Sequence, residues 1–531
     1  MKRINKLFNP RLPVAILLST VVLASCTKKF DEINTDRNAI ATVGASELPF
    51  LFAKAEQTSI PNIWNYQVAQ NLFADQYAQY FACTATYFPS DRLNIRMDWV
   101  GAAFNPIYTD LVPQLQSIFQ ASEPGSPEYA LSQVVWVLGF HRVTDYWGPI
   151  PYFNAGVPGK TVPYDAQDKI YDDFFKKLDS AANVLKSNPS AAPFGSFDLI
   201  YGGNVTKWLH FTNSLRLRLA LRISKVDPAR AKAEAEAAVA GGVMQTSPDE
   251  DAYIKKSLNG ADNNGLSIMS DWNEFRMSAA MESVMNGYKD PRESVYWLPA
   301  GADQGNPAGT GKYEGLRNGL TSTQLTENIN KPTSNSKVGK RWSSPAFAGN
   351  ADYLTTPLNV MSVAESYFNR AEGAVLGWNM GGDAKTLYEE GIRQSMHQWG
   401  ITDEAAITAY LNSSAVPVAP NDYLNSPAVS TAPIKYDGTR AKEQIAIQKW
   451  LAMFPDGNEA WSDYRRGRNF ILYPVANSEN ADIPNPTTQW IRRIPFLLSE
   501  TQNNKAAVEA AVPLLGAGGD KVTTPLWWDK N

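Results

Sequence analysis

The most regular hydrophobic pattern in the chain runs from Tyr201 to Ser224 and predicts a buried helix. Apolar side chains fall on one stripe of that helix at Trp208, Phe211, Leu215, Leu219 and Ile223. Strict alternation over Leu215–Leu219 would also suit a half-buried strand. Leu, Ala and Arg favour a helix, however, and β-branched residues are scarce here. We therefore predict a helix that is apolar on most sides and lies in the middle of its domain.

The residues that follow predict a second helix packed against the first. Asp227 and Pro228 supply a cap and a first-turn proline, and Gly241–Gly242 end the helix after Ala240. The helical period recurs in segments 47–80, 106–120, 127–144, 168–187, 363–376, 384–399 and 441–453. Small and aromatic residues in 364–392 are spaced as in tetratricopeptide repeats of ~34 residues. These patterns predict an all-α fold, a scaffold of tetratricopeptide-like helical hairpins.

One long segment, Val243–Ala348, breaks the helical pattern. It is dense in Gly, Asn, Ser and Pro, with isolated aromatic residues between them. Loops of this length inside a compact protein usually carry function, since binding residues are often placed on loops held by a rigid scaffold. We predict that residues 243–348 form an irregular, loop-rich insertion that faces a ligand.

Residues 1–25 have the composition of a bacterial lipoprotein signal peptide. A basic start is followed by the short apolar run Leu12–Val22, and small residues then lead to Cys26. The apolar run is shorter than the ~20 residues needed to span a bilayer, so we predict cleavage before Cys26 and lipid attachment to its thiol. Residues 26–45 then form a lipidated tether, and residues 46–531 form a single helical domain.

Cysteine content and charge narrow the class of partner. With Cys26 lipidated, Cys83 is the remaining thiol, so stability comes from packing and not from a disulfide. Removal of residues 1–25 takes away four basic and no acidic residues, which changes the formal net charge from −4 to −8. Nucleic acid is a poor candidate partner for this chain, because binding to phosphate backbones needs clustered positive charge. The charge of the chain does not exclude neutral ligands.

Motifs for catalysis and for metal or cofactor binding are weak. The histidines, His141, His210 and His397, lie far apart on predicted helices and lack metal-ligand spacing. Gly309–Lys312 resembles the end of a phosphate loop, but the flanking residues do not complete that motif. Glu274 is a loop carboxylate that could serve in glycoside hydrolysis, although a solvated loop residue is the simpler interpretation. We expect no catalytic residue, no metal and no cofactor.

A series of short motifs, taken in order, resembles one family. They are Cys26 with the small residues before it, Phe30–Asp36, Trp147–Tyr152, Tyr201–Trp208, Tyr288–Arg292, Glu459–Arg466, Arg493–Phe496 and Leu526–Asp529. Each motif is short, but together they extend over essentially the whole chain. On these motifs the chain resembles the SusD/RagB nutrient-binding outer-membrane lipoproteins of Bacteroidetes, in their second SusD-like branch.

That resemblance implies a tetratricopeptide-like fold, a lipid anchor in the outer membrane, exposure at the cell surface and no catalysis. It also implies a SusC-like TonB-dependent transporter as partner, on which the lipoprotein sits as a lid while it captures an oligosaccharide or another nutrient. The motifs look like scaffold and assign no ligand contacts. In Glu459–Arg466 we predict a packed junction with Trp461 and Tyr464 buried and Asp463 paired with an arginine.

Ligand contacts are predicted instead from the chemistry of sugars. A sugar ring stacks an apolar face on Trp or Tyr, while its hydroxyl groups need polar partners. Segments Tyr87–Trp99 and Trp297–Trp342 combine both residue types. From these segments we predict ligand contacts at Asn94, Trp99, Trp297, Tyr313 and Trp342.

The leading functional hypothesis is a non-catalytic nutrient-binding lipoprotein at the cell surface. A second hypothesis is an extracellular carbohydrate-active enzyme, which requires two convergent acids in a cleft. A third is a structural or adhesion lipoprotein, which would use the helical scaffold for protein contacts alone. The lipoprotein signal and the resemblance favour the first hypothesis.

Overall fold

Helices make up most of the regular structure. The structure is a computed structural model that describes residues 44–61, 63–157, 159, 161–258, 262–303, 305–344 and 352–531. The predictions for residues 1–43, including the lipid attachment at Cys26, lie outside the described residues. Leu48–Asn531 form one compact unit, which carries every feature described below. Within the described ranges, no helix is long and apolar enough to cross a bilayer.

The first half of the chain forms a run of neighbouring helices. They are α1 Leu48–Thr58, α2 Gly101–Pro106, α3 Val112–Ala121, α4 Pro127–Trp147, α5 Gln167–Ser187, α6 Val205–Arg222 and α7 Pro228–Ala240. Two π-helical segments, Gln67–Asp75 and Ile107–Leu111, lie between the early helices. Helix α4 packs on α5, α5 on α6 and α6 on α7, so consecutive helices lie side by side as hairpins.

The second half adds short elements and then a further helical group. The helices are α8 Gly265–Met269, α9 Ala279–Tyr288, α10 Glu293–Tyr296, α11 Val363–Val375, α12 Ala384–Gln398, α13 Glu404–Leu411, α14 Ala441–Met453, α15 Gly457–Gly467, α16 Leu498–Asn503 and α17 Lys505–Ala511. Helix α11 packs on α12, on α14 and on α6, which joins the two halves of the scaffold.

Four short strands form two separate antiparallel pairs. β1, Phe81–Cys83, pairs with β3, Phe275–Met277, and Cys83 lies opposite Phe275. β2, Ala252–Ile254, pairs with β4, Leu358–Met361. Both pairs therefore tie the segment predicted as an irregular insertion to other parts of the chain.

The predicted central hairpin is confirmed as α6 and α7. The side chain of Asn204 accepts a hydrogen bond from the Lys207 amide at the start of α6, and Asp227 caps α7 in the same way. All five residues of the predicted apolar stripe are buried, with Trp208 and Phe211 fully so. The helical interpretation was right because helix formers, caps and period agree in this segment.

Two predicted boundaries are wrong. Segment 47–80 is not one helix, because α1 ends at Thr58 and helical residues resume only at Asn65. Helix α4 continues past Thr144 through Trp147 and ends at Gly148, where φ is +84°. Glycine adopts a positive φ more easily than other residues, and a residue in that conformation ends the helix. The helix therefore ends three residues later than predicted.

Helix α6 buries two arginines among the acidic residues of neighbouring helices. Arg218 contacts Glu365 of α11 at 2.7 Å, and Arg222 contacts Glu459 of α15 at 2.6 Å. All four side chains are at most 2% exposed. Buried charges are costly to desolvate unless they are paired, so these contacts fix the positions of α11 and α15 against α6.

Three short motifs of the second half, Glu459–Arg466, Arg493–Phe496 and Leu526–Asp529, lie near the end of α4 at one junction. The Trp147 indole donates to the Pro495 carbonyl at 3.0 Å, and the Trp528 indole donates to Asp145 at 2.9 Å. The Arg465 guanidinium lies 3.4 Å from the centroid of the Trp461 ring and 5.0 Å from that of Trp528. These motifs serve the scaffold, as predicted.

The predicted packing of Glu459–Arg466 is largely confirmed. Trp461 is buried, and Asp463 accepts hydrogen bonds from Arg466 and Lys449 at 2.6 and 2.7 Å. Tyr464 is only half-buried, since it lines a surface cleft together with Gln76 and Trp490.

Candidate functional site

Two of the five predicted ligand contacts lie in the core. Trp297 and Trp342 are 0% and 1% exposed. Their rings lie 5.2 and 5.8 Å from the Phe454 ring, in an aromatic cluster that also holds Tyr296. Neither ring has a face open to solvent, so the prediction that they are ligand platforms is wrong. Burial of a large aromatic surface at the centre of the fold outweighs the polar composition of the surrounding segment.

The other three predicted contacts lie at or near the surface. Asn94 is exposed, whereas Trp99 and Tyr313 are half-buried. The Trp99 ring packs edge-on against Phe88, and the Arg96 guanidinium lies 4.2 Å from its centroid. Partial burial raises the pKa of the Tyr313 hydroxyl. These three residues keep a surface that a ligand could reach, and their role stays a prediction.

A group of exposed aromatic side chains lies nearby along the chain, and sequence reasoning did not select it. Trp64 and Tyr87 are each 64% exposed, and Trp272 is 41% exposed. The Trp64 and Trp272 rings are parallel within 9°, with centroids 6.0 Å apart. We call these three residues, with Gln67 and Glu274, the aromatic surface. Exposed apolar side chains that lie together, unlike single ones, can indicate a binding surface.

Glu274 links the members of the aromatic surface. The Tyr87 hydroxyl donates to one carboxylate oxygen at 2.5 Å, and the Gln67 side chain donates to the other at 2.5 Å. The hydrogen bond to this carboxylate raises the pKa of Tyr87 to about 12. Glu274 therefore holds Tyr87 in place, and both of its oxygens have neutral donors.

The turn that carries Trp272 is held by the scaffold. The Thr84 amide donates to the Glu274 carbonyl at 2.9 Å, next to the pairing of β1 with β3. The Arg276 guanidinium donates to the Asn273 side chain at 2.6 Å, and Asn273 has φ of +60°. Asn tolerates this left-handed conformation better than most residues. The Trp272 backbone is thus fixed before any ligand binds.

A polar cleft of about 620 Å³ shares the same turn. Its lining includes Asp271, Asn273, Arg276, Asn335 and Lys337. Lys337 donates to Asp271 at 2.6 Å, so opposite charges are paired at the wall of the cleft. Hydrogen-bonding groups of this kind, close to stacked rings, can bind the hydroxyl groups of a neutral ligand.

The histidines make local contacts and do not converge. His141 is fully buried with Nδ1 3.0 Å from the Val137 carbonyl, and burial lowers its pKa. His210 contacts Glu250 at 2.5 Å, and His397 contacts Glu404 at 2.8 Å. Among the residues that the structure describes, no group of three or more His, Cys, Asp or Glu side chains could hold a metal ion.

The parallel exposed tryptophans and the neighbouring polar cleft make this face of the helical scaffold the candidate site for a ligand. The sequence profile of the SusD-like family, described as SusD and RagB outer membrane lipoproteins, matches residues 31–529. The chain belongs to this family, and it is an outer-membrane lipoprotein. This membership confirms the predicted family and the predicted location in the outer membrane.

Solved structures of family members share the fold. A chitin-binding SusD homologue from Flavobacterium johnsoniae is 33% identical, with a TM-score of 0.81 over 91% of this chain and 99% of that chain. A SusD homologue from Bacteroides ovatus is 31% identical, with a TM-score of 0.79 over 92% and 100%. One from Bacteroides thetaiotaomicron is 28% identical, with a TM-score of 0.78 over 91% and 99%.

These likenesses confirm the predicted all-α, tetratricopeptide-like fold. None of the curated proteins matches the chain.

Proposed function

We propose that this lipoprotein is non-catalytic and captures a glycan on the aromatic surface. The observation that carries the proposal is the parallel, exposed pair Trp64 and Trp272. The apolar C–H face of a sugar ring packs on an indole ring, and two rings of one orientation suit an extended saccharide. Among known relatives, the Flavobacterium johnsoniae homologue is described as chitin-binding, which supports a saccharide ligand.

Polar groups next to the rings supply the directional part of recognition. The Glu274 carboxylate and the Gln67 amide lie within the aromatic surface, and Asn273 lies at the turn shared with the polar cleft. These groups accept and donate hydrogen bonds without a large net charge, which suits the hydroxyl groups of a neutral sugar. Asn94, Trp99 and Tyr313 are proposed as further contacts at the periphery.

Family membership supports the rest of the proposal. The captured ligand passes to a SusC-like TonB-dependent transporter in the outer membrane, and lipid on Cys26 anchors the protein on the cell surface. No cofactor takes part.

Calorimetry on the soluble chain starting at residue 27 tests the proposal. We expect saturable binding of an oligosaccharide from a panel that includes chito-oligosaccharides, without appearance of cleaved product. Preferential binding of oligopeptides would contradict the glycan assignment. If no oligosaccharide and no oligopeptide bound, the adhesion hypothesis would be favoured instead.

A Glu274→Gln variant separates capture from hydrolysis. Gln keeps an oxygen for the Tyr87 hydroxyl but cannot act as a general acid or nucleophile. A capture protein shows no product before or after the change, whatever the loss of affinity that the altered hydrogen bonding at position 274 causes. Product formed by the native chain and abolished in the variant would establish the enzyme hypothesis.

A further inference from the structure

A second cleft lies between residues 76–79, helix α15 and the segment 471–491, and it shares no lining residue with the aromatic surface. Its enclosed volume is about 80 Å³, room for one small organic group. We call it the Arg468 cleft, because Arg468 is the one charged residue among the described residues that line it. A wall with one cation and no acid attracts an anion and repels a cation.

The Arg468 guanidinium is held at this wall by two aromatic rings that line the same cleft. It lies 3.7 Å from the centroid of the Trp490 ring and 5.5 Å from that of the Tyr464 ring. Among the described residues, none forms an ion pair with Arg468 or accepts a hydrogen bond from it, and its nitrogens remain open to water. The rings stabilise the cation but do not neutralise it, so its charge is available to a ligand.

Two neutral donors lie in the same wall. Gln489 Oε1 accepts from the Asn485 amide at 3.3 Å, which leaves Gln489 Nε2 as a donor, and this nitrogen is not shielded from water. Thr487 is exposed, and no described residue bonds to its hydroxyl group. With Arg468, these groups bring three donors to one small space. A carboxylate, which only accepts hydrogen bonds and has two oxygens, suits such a set.

The rest of the wall is largely apolar. Leu472 and Ile491 are buried, and Ile471 at the rim is 52% exposed. Apolar surface that a ligand covers is removed from water, which favours binding. The occupant that fits this cleft therefore combines an anionic group with a short apolar body.

We propose that the Arg468 cleft binds the ionised form of a small carboxylic acid with a short, branched aliphatic body. One carboxylate oxygen pairs with Arg468, the other accepts from Thr487 and Gln489, and the body packs on Leu472 and Ile491. The small enclosed volume favours a free acid over the last residue of a polypeptide. This site goes beyond the proposed function, because it uses no residue of the aromatic surface.

Saturation-transfer NMR with 4-methylpentanoate at about pH 7 tests the proposal, and 4-methylpentanamide is the neutral probe of the same shape. We expect saturable binding of the acid. We expect the amide to bind about tenfold more weakly or less, because it offers no charge to Arg468.

Three variants place the site. Arg468→Met keeps an unbranched side chain beside Trp490 but removes the charge, so the acid should bind about tenfold more weakly. Ile471→Trp covers the rim and should also weaken binding, while the core stays undisturbed because Ile471 is exposed. Lys505→Met is the matched control: it removes one positive charge from a side chain that is 71% exposed on α17, and it should leave binding unchanged. The melting temperature of each variant checks that it is folded.

Each alternative has its own result. Equal binding of the acid and the amide would overturn the recognition of charge, and binding kept in both Arg468→Met and Ile471→Trp would place the acid elsewhere. Binding of N-acetyl-leucine without binding of 4-methylpentanoate would overturn the free acid as ligand in favour of a polypeptide end. If no probe bound, the cleft would hold water only and the proposal would be wrong. Oligosaccharide binding, measured on the native chain and on Arg468→Met, should be equal in both, so the proposed function stands or fails separately.

Discussion

Trp272 and Trp297 both belong to the segment predicted as loop-rich, yet one lies at the surface and the other in the core. Trp272→Ala should weaken glycan binding about tenfold, ~1.4 kcal/mol, because a stacking face is lost, and should leave the melting temperature unchanged. Trp297→Ala should instead cost about 3–5 kcal/mol of unfolding free energy, because it leaves a cavity beside Phe454. Calorimetry and thermal unfolding of both variants check this.

The two variants control for each other. Trp64→Ala should behave like Trp272→Ala, because the two rings are parallel and exposed. If Trp272→Ala greatly lowered the stability and left the affinity unchanged, the Trp272 ring would serve packing. That result would contradict its proposed role as a ligand platform.

Asp75 gives the fold a dependence on pH. It is fully buried, accepts hydrogen bonds from Tyr66 and Gln70, and burial raises its pKa to about 7. Between about pH 4 and pH 7 the native state binds this proton more tightly than the unfolded chain does, so stability falls as pH rises. Asp75→Asn mimics the neutral carboxyl group. We expect it to stabilise the protein at about pH 8, by on the order of 2 kcal/mol, and to have little effect at about pH 4.

Urea unfolding across this pH range measures the effect. Other buried acids with raised pKa, such as Glu282 at about 7, contribute a background decline in both proteins. A variant whose stability declines with pH as steeply as the native chain would show that Asp75 is not the source.

The positions of the exposed aromatic residues were harder to predict from the sequence than the residue types that suit a sugar. The sequence predicted aromatic residues beside Gly and Asn as ligand contacts, with Tyr87 at one end of a predicted segment and Glu274 as a loop carboxylate. Whether a given tryptophan is buried depends on residues distant in sequence, such as Phe454 for Trp297. Trp272 stood between Asp271 and Asn273, which was the one local signal available.

At the scale of elements, the buried arginines of α6 hold it against the neighbouring helices, as its apolar stripe also does. Arg218→Met should destabilise the protein by about 3–5 kcal/mol, because Glu365 is left buried without its partner. The double variant Arg218→Met/Glu365→Leu should recover most of that loss, since it removes both charges. Urea unfolding of the single and double variants gives the coupling between them.

The paired change also separates charge from packing. If the double variant were as unstable as the single one, the loss would come from the shape of the side chains and not from the unpaired charge. Glu365→Gln alone provides a further comparison, because it keeps the volume and removes the negative charge.

Helices with agreeing signals were predicted well from sequence. In α6 and α7 the period, the caps and the helix propensity all point the same way, and the boundaries follow within a few residues. The buried arginines of α6 were not foreseen, because a sequence shows charge but not the acid that meets it. The π-helical segment 67–75 has no local signal distinct from that of an α-helix.

At the scale of the molecule, the family motifs predicted the fold because their residues build the scaffold. They lie along the whole chain, and three of them, at Trp147, Pro495 and Trp528, meet at one junction, so the fold could be predicted from them. The aromatic surface is assembled from Trp64, Tyr87 and Trp272 on separate segments. Tyr87 and Glu274 are 187 residues apart, and no motif spans that distance.

The contact between Asp145 and Trp528 joins residues 383 positions apart. A chain that emerges from the ribosome N-terminus first presents Asp145 and Arg222 long before Trp528 is available. Until then Asp145 and Arg222 lack the aromatic side chain that shields them from water, so the junction stays open. Late, long-range closure of this kind slows folding, because the entropy of closing so long a loop opposes the contact that ends it.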